Sequence, residues 1–292
     1  HELVTAFGIS TFEVEGFEEQ GKDLKGPVIV GKVVSIEELS GHKKPIRYVG
    51  LNLGENKTRF VICGARNFKL NDLVVVAVPG AVLPGDFKIS ARETYGKISD
   101  GMICSAKELG LGDDHSGIIV LAEGSATVGT DAIELLQIND TVFDIAVNPD
   151  RGYALSIRGA AREIAGALDL TFIDPITHAK SLKFAESGSA TPMKITNGAM
   201  VAYLRSLDNF NPKAPSPIWL SRRIEKIGMR SISLAVDVTN YVMIELGQPL
   251  HAFDRAKIVE GLEITYAQDK SKFTTLDGQE RELAATDLVV RD

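Results

Sequence analysis

The sequence predicts an α+β multidomain protein in which a small closed β-barrel is joined to α/β segments, with a further mixed α/β module downstream. Three observations predict it. Short segments rich in Val, Ile and aromatic residues recur over about 95 residues between Gly, Asn, Pro and Asp turns. A strand-like run with a Pro turn is followed by a helix-periodic stretch at residues 154–167. A polar Pro, Ser and Gly segment at 174–192 then separates this first part from a second module. With 292 residues, 44% of them hydrophobic, the chain is long enough for about two domains, each with its own core.

Taken in order, residues 3–20 begin apolar, turn acidic at Glu18 and Glu19, and lead into a loop around 21–26. The barrel strands are expected at Val28–Ile36, Tyr48–Leu53, Arg59–Cys63, Leu73–Ala77 and Gly117–Leu121. Five such strands suggest a closed barrel, of which the five-stranded OB-fold is one type. Between them, Asp100–Gly110 reads as a turn and a short helix ending at glycine, with Ser105 and Glu108 spaced as a capping box. Met102 and Cys104 are expected to pack there rather than react, since no histidine or acid stands in a demonstrable relation to the thiol. Val142–Val147 is a strand and Asn148-Pro149-Asp150-Arg151 its turn. In the following helix, Leu155, Arg158, Ala161, Arg162 and Ala165 recur at helical spacing and Gly166 lies toward the end. Arg151, Arg158 and Arg162 suit either a phosphate or acidic neighbours equally.

The second module is expected to begin near Lys194. Ser216-Pro217 has the cap-then-proline order that opens a helix; Leu220, Ile224 and Ile227 form its inward stripe and Gly228 stops it. Arg222, Arg223 and Lys226 are then left facing outward. Ile232–Val238 is expected as a strand, Tyr241–Leu246 as a short helix ended by Gly247, and Glu263–Tyr266 as a further strand. The Leu276-Asp277-Gly278 triplet signals a hairpin.

Charge and motif content exclude several classes. Lys and Arg number 32 against 39 Asp and Glu, giving a net charge of -7, and this argues against non-specific coating of nucleic acid. The charge is uneven: residues 180–230 carry nine Lys/Arg against three Asp/Glu, and 29–125 carry twelve against eleven. The basic stretch is either a polyanion contact, with Arg222, Arg223 and Lys226 as possible RNA-contacting residues, or a solvated surface. Two cysteines without CxxC spacing indicate neither a disulfide framework nor a zinc site, and fit a cytoplasmic protein. No window reaches the ~18 apolar residues of a membrane span, and no signal-peptide pattern opens the chain, so no membrane partner is expected. Walker, GxGxxG, HExxH and GxSxG signatures are absent. The opening at His1 and the stop after Val289-Val290-Arg291-Asp292 lead us to expect a piece of a longer protein.

The densest polar cluster is Asp237-Val238-Thr239-Asn240-Tyr241-Val242 with Gln248-Pro249-Leu250-His251-Ala252-Phe253-Asp254. An imidazole orients water or accepts a proton near neutrality, and Asn and Thr side chains bind ribose hydroxyls or a carbonyl. This permits hydrolysis. The structural alternative is that Asp237 caps a helix, Thr239 and Asn240 satisfy its first amides, and His251 packs on the turn.

A set of motifs in a fixed order carries a resemblance. Val61-Ile62-Cys63-Gly64-Ala65-Arg66-Asn67, Val78–Gly85, Ser99–Ser105 with Glu108-Leu109-Gly110, Asn148–Arg151, Asp237–Tyr241 and Gln248–Asp254 together resemble the N-terminal part of the bacterial phenylalanine–tRNA ligase beta subunit family, over nearly the whole chain. The resemblance implies an OB-fold tRNA-binding domain at 28–135 inserted into a small α/β domain formed by 1–27 and 136–180, and the start of a truncated editing domain at 190–292. It implies a class II ligase, an alpha2-beta2 heterotetramer acting on tRNA(Phe), with ATP and Mg2+ used by the alpha subunit and none held by this segment. It further implies that Thr239, Asn240, Pro249 and His251 belong to an editing pocket that hydrolyses Tyr-tRNA(Phe), and that this segment alone does not ligate. Three features depart from the family: the chain is expected to stop before the part of the editing domain where the family keeps a glutamate that recognises the tyrosine hydroxyl, Gly41-His42-Lys43-Lys44-Pro45-Ile46 replaces its usual loop, and 187–200 lacks the usual editing-domain start. A stand-alone, non-catalytic tRNA-binding OB protein and a free-standing editing hydrolase are the alternative readings.

Overall fold

The computed structural model describes residues 2–9, 12–41, 45–112, 115–179, 190–275 and 278–292. They fall into two compact units, His1–Phe172 with Lys213–Pro249, and Ile173–Pro212 with Leu250–Asp292. The helices are α1 (Glu2–Ile9), α2 (Ala132–Leu135), α3 (Ile157–Ala167), α4 (Pro175–Ala179), α5 (Ile218–Lys226) and α6 (Leu234–Leu246). The longer strands of the first unit are β1 (Glu13–Gln20), β2 (Val28–Leu39), β3 (Ile46–Asn52), β4 (Arg59–Cys63) and β5 (Leu73–Ala77).

The barrel is built on β2. Its first half pairs antiparallel with β5, from Val28 opposite Ala77 to Lys32 opposite Leu73, and its second half pairs with β3 up to Leu39 opposite Ile46. The register with β3 shifts between Val33 and Ser35, a bulge that bends the strand so that it serves both sides. β4 follows β3, and the two-residue strands Met102–Ile103 and Val120–Leu121 both pair with β5. Closure comes from the Asp100 amide donating to Phe60 O at 2.8 Å and the Ile62 amide to Ser99 Oγ at 3.0 Å. Alternation on β3 sends Val49 and Leu51 inward, where they are fully buried with Val33, Val61 and Val74. The four strands expected at 28–77 are all present. The Met102–Ile103 strand has too few residues to show a period.

The capping box also forms. Glu108 accepts from the Ser105 amide at 2.5 Å and from its hydroxyl at 2.7 Å, and a single 3-10 turn, Lys107–Leu109, ends at Gly110 in the left-handed region. Cys104 is fully buried in the barrel core, and burial pushes its thiol up to about 12, which keeps it protonated and inert near neutral pH.

β1 pairs antiparallel with the strand Asp140–Ala146, Glu13 opposite Ala146 through Gln20 opposite Asp140. These partners flank the barrel in sequence, so the barrel is an insertion between two strands of one small sheet. That sheet packs Phe7, Phe12 and Ala154 with Val14, Phe143, Ile145, Ala160 and Ile164. Arg151 ion-pairs with Glu163 at 3.6 Å and Arg162 lies over the Tyr153 ring at 5.1 Å, so both are committed within this small domain.

α3 starts at Ser156, whose hydroxyl accepts from the Gly159 amide at 3.1 Å and donates to Tyr153 O at 3.0 Å. This draws the helix so close to Tyr153 that a Cβ on Gly159 would lie 1.9 Å from the Tyr153 carbonyl oxygen. Gly159→Ala is therefore expected to destabilise the first unit by about 3 kcal/mol. A urea midpoint equal to that of the parent would refute the close approach.

The second unit holds a three-stranded sheet in which Leu262–Tyr266 is central, parallel to Met193–Ile195 and antiparallel to Leu288–Arg291. A hairpin pairs Ser271–Thr274 with Glu280–Leu283, as the Asp-Gly signal predicts, although Leu276 and Asp277 themselves lie outside the described residues. Two other expectations fall outside them as well: the loop residues His42, Lys43 and Lys44, and the Ser187-Gly188-Ser189 linker. Within the expected linker, Pro175–Ala179 is helical, started by the Asp174 carboxylate accepting from the Ile176 amide at 3.0 Å.

Candidate functional site

The polar cluster begins on α6, and here the structure corrects the sequence. Ile232–Val238 is not a strand, and Tyr241–Leu246 is not a separate helix: one helix runs from Leu234 to Leu246. The alternation of Ile232, Leu234, Val236 and Val238 suggests a period of two, yet Ser233 caps a helix by accepting from the Val236 amide, and packing against α5 and α3 selects that form. Gly247, at φ +74°, ends it.

Asp237 does not cap this helix. It lies in the first turn, fully buried, and its carboxylate accepts from Ser216 Oγ and Ser231 Oγ at 2.5 Å each and from the Ile232 amide at 2.9 Å. Burial opposes its ionisation, but the two hydroxyls and the amides of Ile232 and Ser233 outweigh that and hold its carboxyl below the usual aspartate range. The Ser216 hydroxyl is thereby drawn away from α5, which starts at Ile218 after Pro217 without a side-chain cap. Sequence spacing gave no signal for Ser216 and Ser231 as the partners of Asp237.

Thr239 is half-buried and donates to Val236 O at 2.7 Å, so its oxygen keeps its acceptor capacity. Asn240, also half-buried, is next to it on α6, and Pro249 is exposed just past the helix. These three belong to the first unit. His251 belongs to the second, is exposed, and packs its ring against Phe253 with centroids 4.5 Å apart. Trp219 of α5 meets Tyr241 of α6 edge-on at 5.3 Å. Among the described residues, no three His, Cys, Asp or Glu side chains gather as they would around a metal ion, and no helix is long and apolar enough to cross a membrane.

The outward-facing triad of α5 is corrected in part. Arg222 is buried, donating through Nε to Leu136 O at 3.2 Å and through a terminal nitrogen to Glu225 at 2.6 Å. Lys226 reaches Asp140 at 2.5 Å with its side chain only 7% exposed. Both are drawn inward because the helix packs beside the end of α2 and the start of the Asp140–Ala146 strand, where a carbonyl and a carboxylate need donors. Arg223 alone of the three is exposed.

On the barrel, Tyr48 of β3 and Phe60 of β4 stack with centroids 5.0 Å apart and planes at 22°. Lys97 sits 5.0 Å over the Tyr48 ring and pairs with Glu37 at 3.3 Å. Arg59 is held by Glu55 and Asp100, and Arg47 and Arg66 share Glu38. Most cations of this face are thus matched by carboxylates, in keeping with its even charge count.

Comparison with known proteins agrees with this architecture. The family described as "Putative tRNA binding domain" matches residues 28–131, the barrel, and the family described as "B3/4 domain" matches 198–292, which includes α5 and α6 of the first unit and much of the second. The chain is 52% identical over 286 residues to the phenylalanine–tRNA ligase beta subunit of Thermobifida fusca (strain YX), covering 96% of this chain and 34% of that protein. It is 53% identical over 286 residues to the same subunit of Streptomyces avermitilis, with the same coverage, and 49% identical over 285 residues to that of Nocardia farcinica (strain IFM 10152), covering 98% of this chain and 34% of the relative. The OB-type barrel inserted in a small α/β domain and the B3/4-type sequence that follows are thus similar, along almost the full length of this chain, to phenylalanine–tRNA ligase beta subunits, and the chain spans about a third of the length of those relatives.

Proposed function

We propose that this chain works as part of a class II phenylalanine–tRNA ligase, in which the beta subunit assembles with an alpha subunit as an alpha2-beta2 heterotetramer, binds tRNA(Phe) and removes tyrosine attached to it in error. The observation that carries this is near-complete coverage of the chain at about half identity to beta subunits, including the Asp237–Asp254 cluster. ATP and Mg2+ serve the alpha subunit in this reading.

In the editing step, water attacks the ester carbonyl that joins tyrosine to the terminal ribose. The ester bond breaks, the ribose hydroxyl regains a proton, and tyrosine leaves as a carboxylate. Asn240 and Thr239 line the pocket, with the Thr239 oxygen an acceptor by virtue of its bond to Val236 O. By the resemblance alone, Pro249 shapes a wall of the editing site in the assembled enzyme and His251 places the tRNA 3′ end or the attacking water. Editing answers a physical limit: a pocket for phenylalanine rejects an analogue that only adds a hydroxyl poorly, and a second site that contacts that hydroxyl selects the error.

The test uses preformed Tyr-tRNA(Phe) and Phe-tRNA(Phe), offered to this chain and to a full-length beta subunit carrying its sequence, assembled with alpha. The assembled enzyme is expected to release tyrosine and spare phenylalanine, and the 292-residue chain alone to release neither. Equal persistence of both esters with the assembled enzyme would remove the editing role.

A further inference from the structure

We propose that the outer face of β3 and β4 holds an unpaired RNA base by stacking on Phe60, so that the barrel grips a base face more than the phosphate backbone. This rests on the tRNA-binding reading of the barrel and goes beyond it in naming the contact.

The geometry is that of a prepared platform. Phe60 lies on β4 opposite Gly50 of β3, and a Cβ on Gly50 would stand 3.1 Å from the Phe60 ring and 2.3 Å from Ser35 Oγ. The missing side chain therefore leaves room for the ring to lie across the neighbouring strand. Tyr48, two residues before Gly50 on the same face, stacks on it and is itself fixed by its hydroxyl donating to Ile98 O at 3.2 Å and by Lys97 over its ring. Phe60 remains 36% exposed. An aromatic ring already locked in place loses little side-chain entropy when a base lands on it. In OB barrels, the two strands following the first one form the face that receives oligonucleotides, and here those strands are β3 and β4.

The charge pattern decides the mode. Lys97, Arg47, Arg59 and Arg66 are each already paired with a carboxylate. Neutralising phosphates would mean breaking those pairs, so few counterions are released and stacking carries the contact. Lys57, exposed just before β4, is the available cation nearest Phe60 in sequence.

The experiment measures the fluorescence anisotropy of labelled single-stranded oligouridylate and oligoadenylate twelve-mers with the 292-residue chain, at two salt concentrations. The chain is expected to bind both, with Phe60→Ala and Phe60→Leu each weakening binding about tenfold and Phe60→Trp restoring it. The slope of log affinity against log salt is expected to be no steeper than about -1.5. Circular dichroism confirms that each variant is folded, and Leu preserves apolar volume should Ala perturb the sheet. If the parent binds and both variants bind equally well, or the salt slope is steep, the platform is wrong while the RNA-binding reading stands. If the parent binds neither oligonucleotide, the platform is wrong, and if labelled tRNA(Phe) also fails to bind, the RNA-binding reading falls with it.

Discussion

Replacing Asp237 with alanine is expected to destabilise the first unit by about 2–3 kcal/mol, because it removes the buried carboxylate on which two part-buried hydroxyls and an amide converge. The three donors, Ser216, Ser231 and Ile232, come from the segment before α5 and the loop before α6, so the carboxylate ties both helix entries together. Trp219, the single tryptophan, packs on Tyr241 across these helices, and its fluorescence reports their unfolding directly. Asp237→Asn keeps the shape and one acceptor and should recover part of the loss. The pH dependence follows from the lowered carboxyl. Its stabilisation is fully present above the ordinary aspartate value of about 3.9 and disappears as the pH falls through the lower folded value. The parent should therefore lose stability in acid more steeply than Asp237→Asn. A urea midpoint for Asp237→Ala indistinguishable from the parent, or parallel acid profiles, would show that the three bonds contribute nothing net.

The second large effect concerns hydrolysis. In the assembled enzyme, His251→Ala is expected to slow release of tyrosine from Tyr-tRNA(Phe) by about 100-fold, the lower end of what a proton-handling group contributes. The His251 ring is exposed and braced by Phe253, so its removal has little structural cost and the variant should melt like the parent. The split between parameters identifies its task. A fall in kcat with unchanged KM marks a role at the attacking water, and a rise in KM marks placement of the 3′ end. A parent-like rate for His251→Ala would take the imidazole out of the reaction altogether.

Much of the fold is legible in the residues because local chemistry and tertiary packing agree. Arg59–Cys63 and Leu73–Ala77 coincide with β4 and β5: β4 alternates to bury Val61 and Cys63, and the short continuous apolar run of β5 between turns is buried on both faces. Ser105 and Glu108 form their expected box because both partners lie within one turn. The misreadings share a different cause. At 232–238 the same residues satisfy a strand period and a helix period, and only the packing of α5 and α3 distinguishes them. On α5, the helical stripe of Leu220 and Ile224 is right, but Arg222 and Lys226 reach acceptors 86 residues away in sequence, which no local pattern encodes.

By itself, the sequence determined the strands of the barrel and the hairpin of Ser271–Thr274 with Glu280–Leu283, and its ordered motifs carried the resemblance to phenylalanine–tRNA ligase beta subunits. These depend on residues close together in the chain or on ordered motifs. The tertiary structure alone decided that Asp237 is a buried tie rather than a cap, that two of three basic residues on α5 are committed inward, and that Tyr48 and Phe60 form one stacked surface over Gly50. The physical reason is that a polar or aromatic group takes its role from the partner it meets on folding, and those partners come from distant parts of the chain.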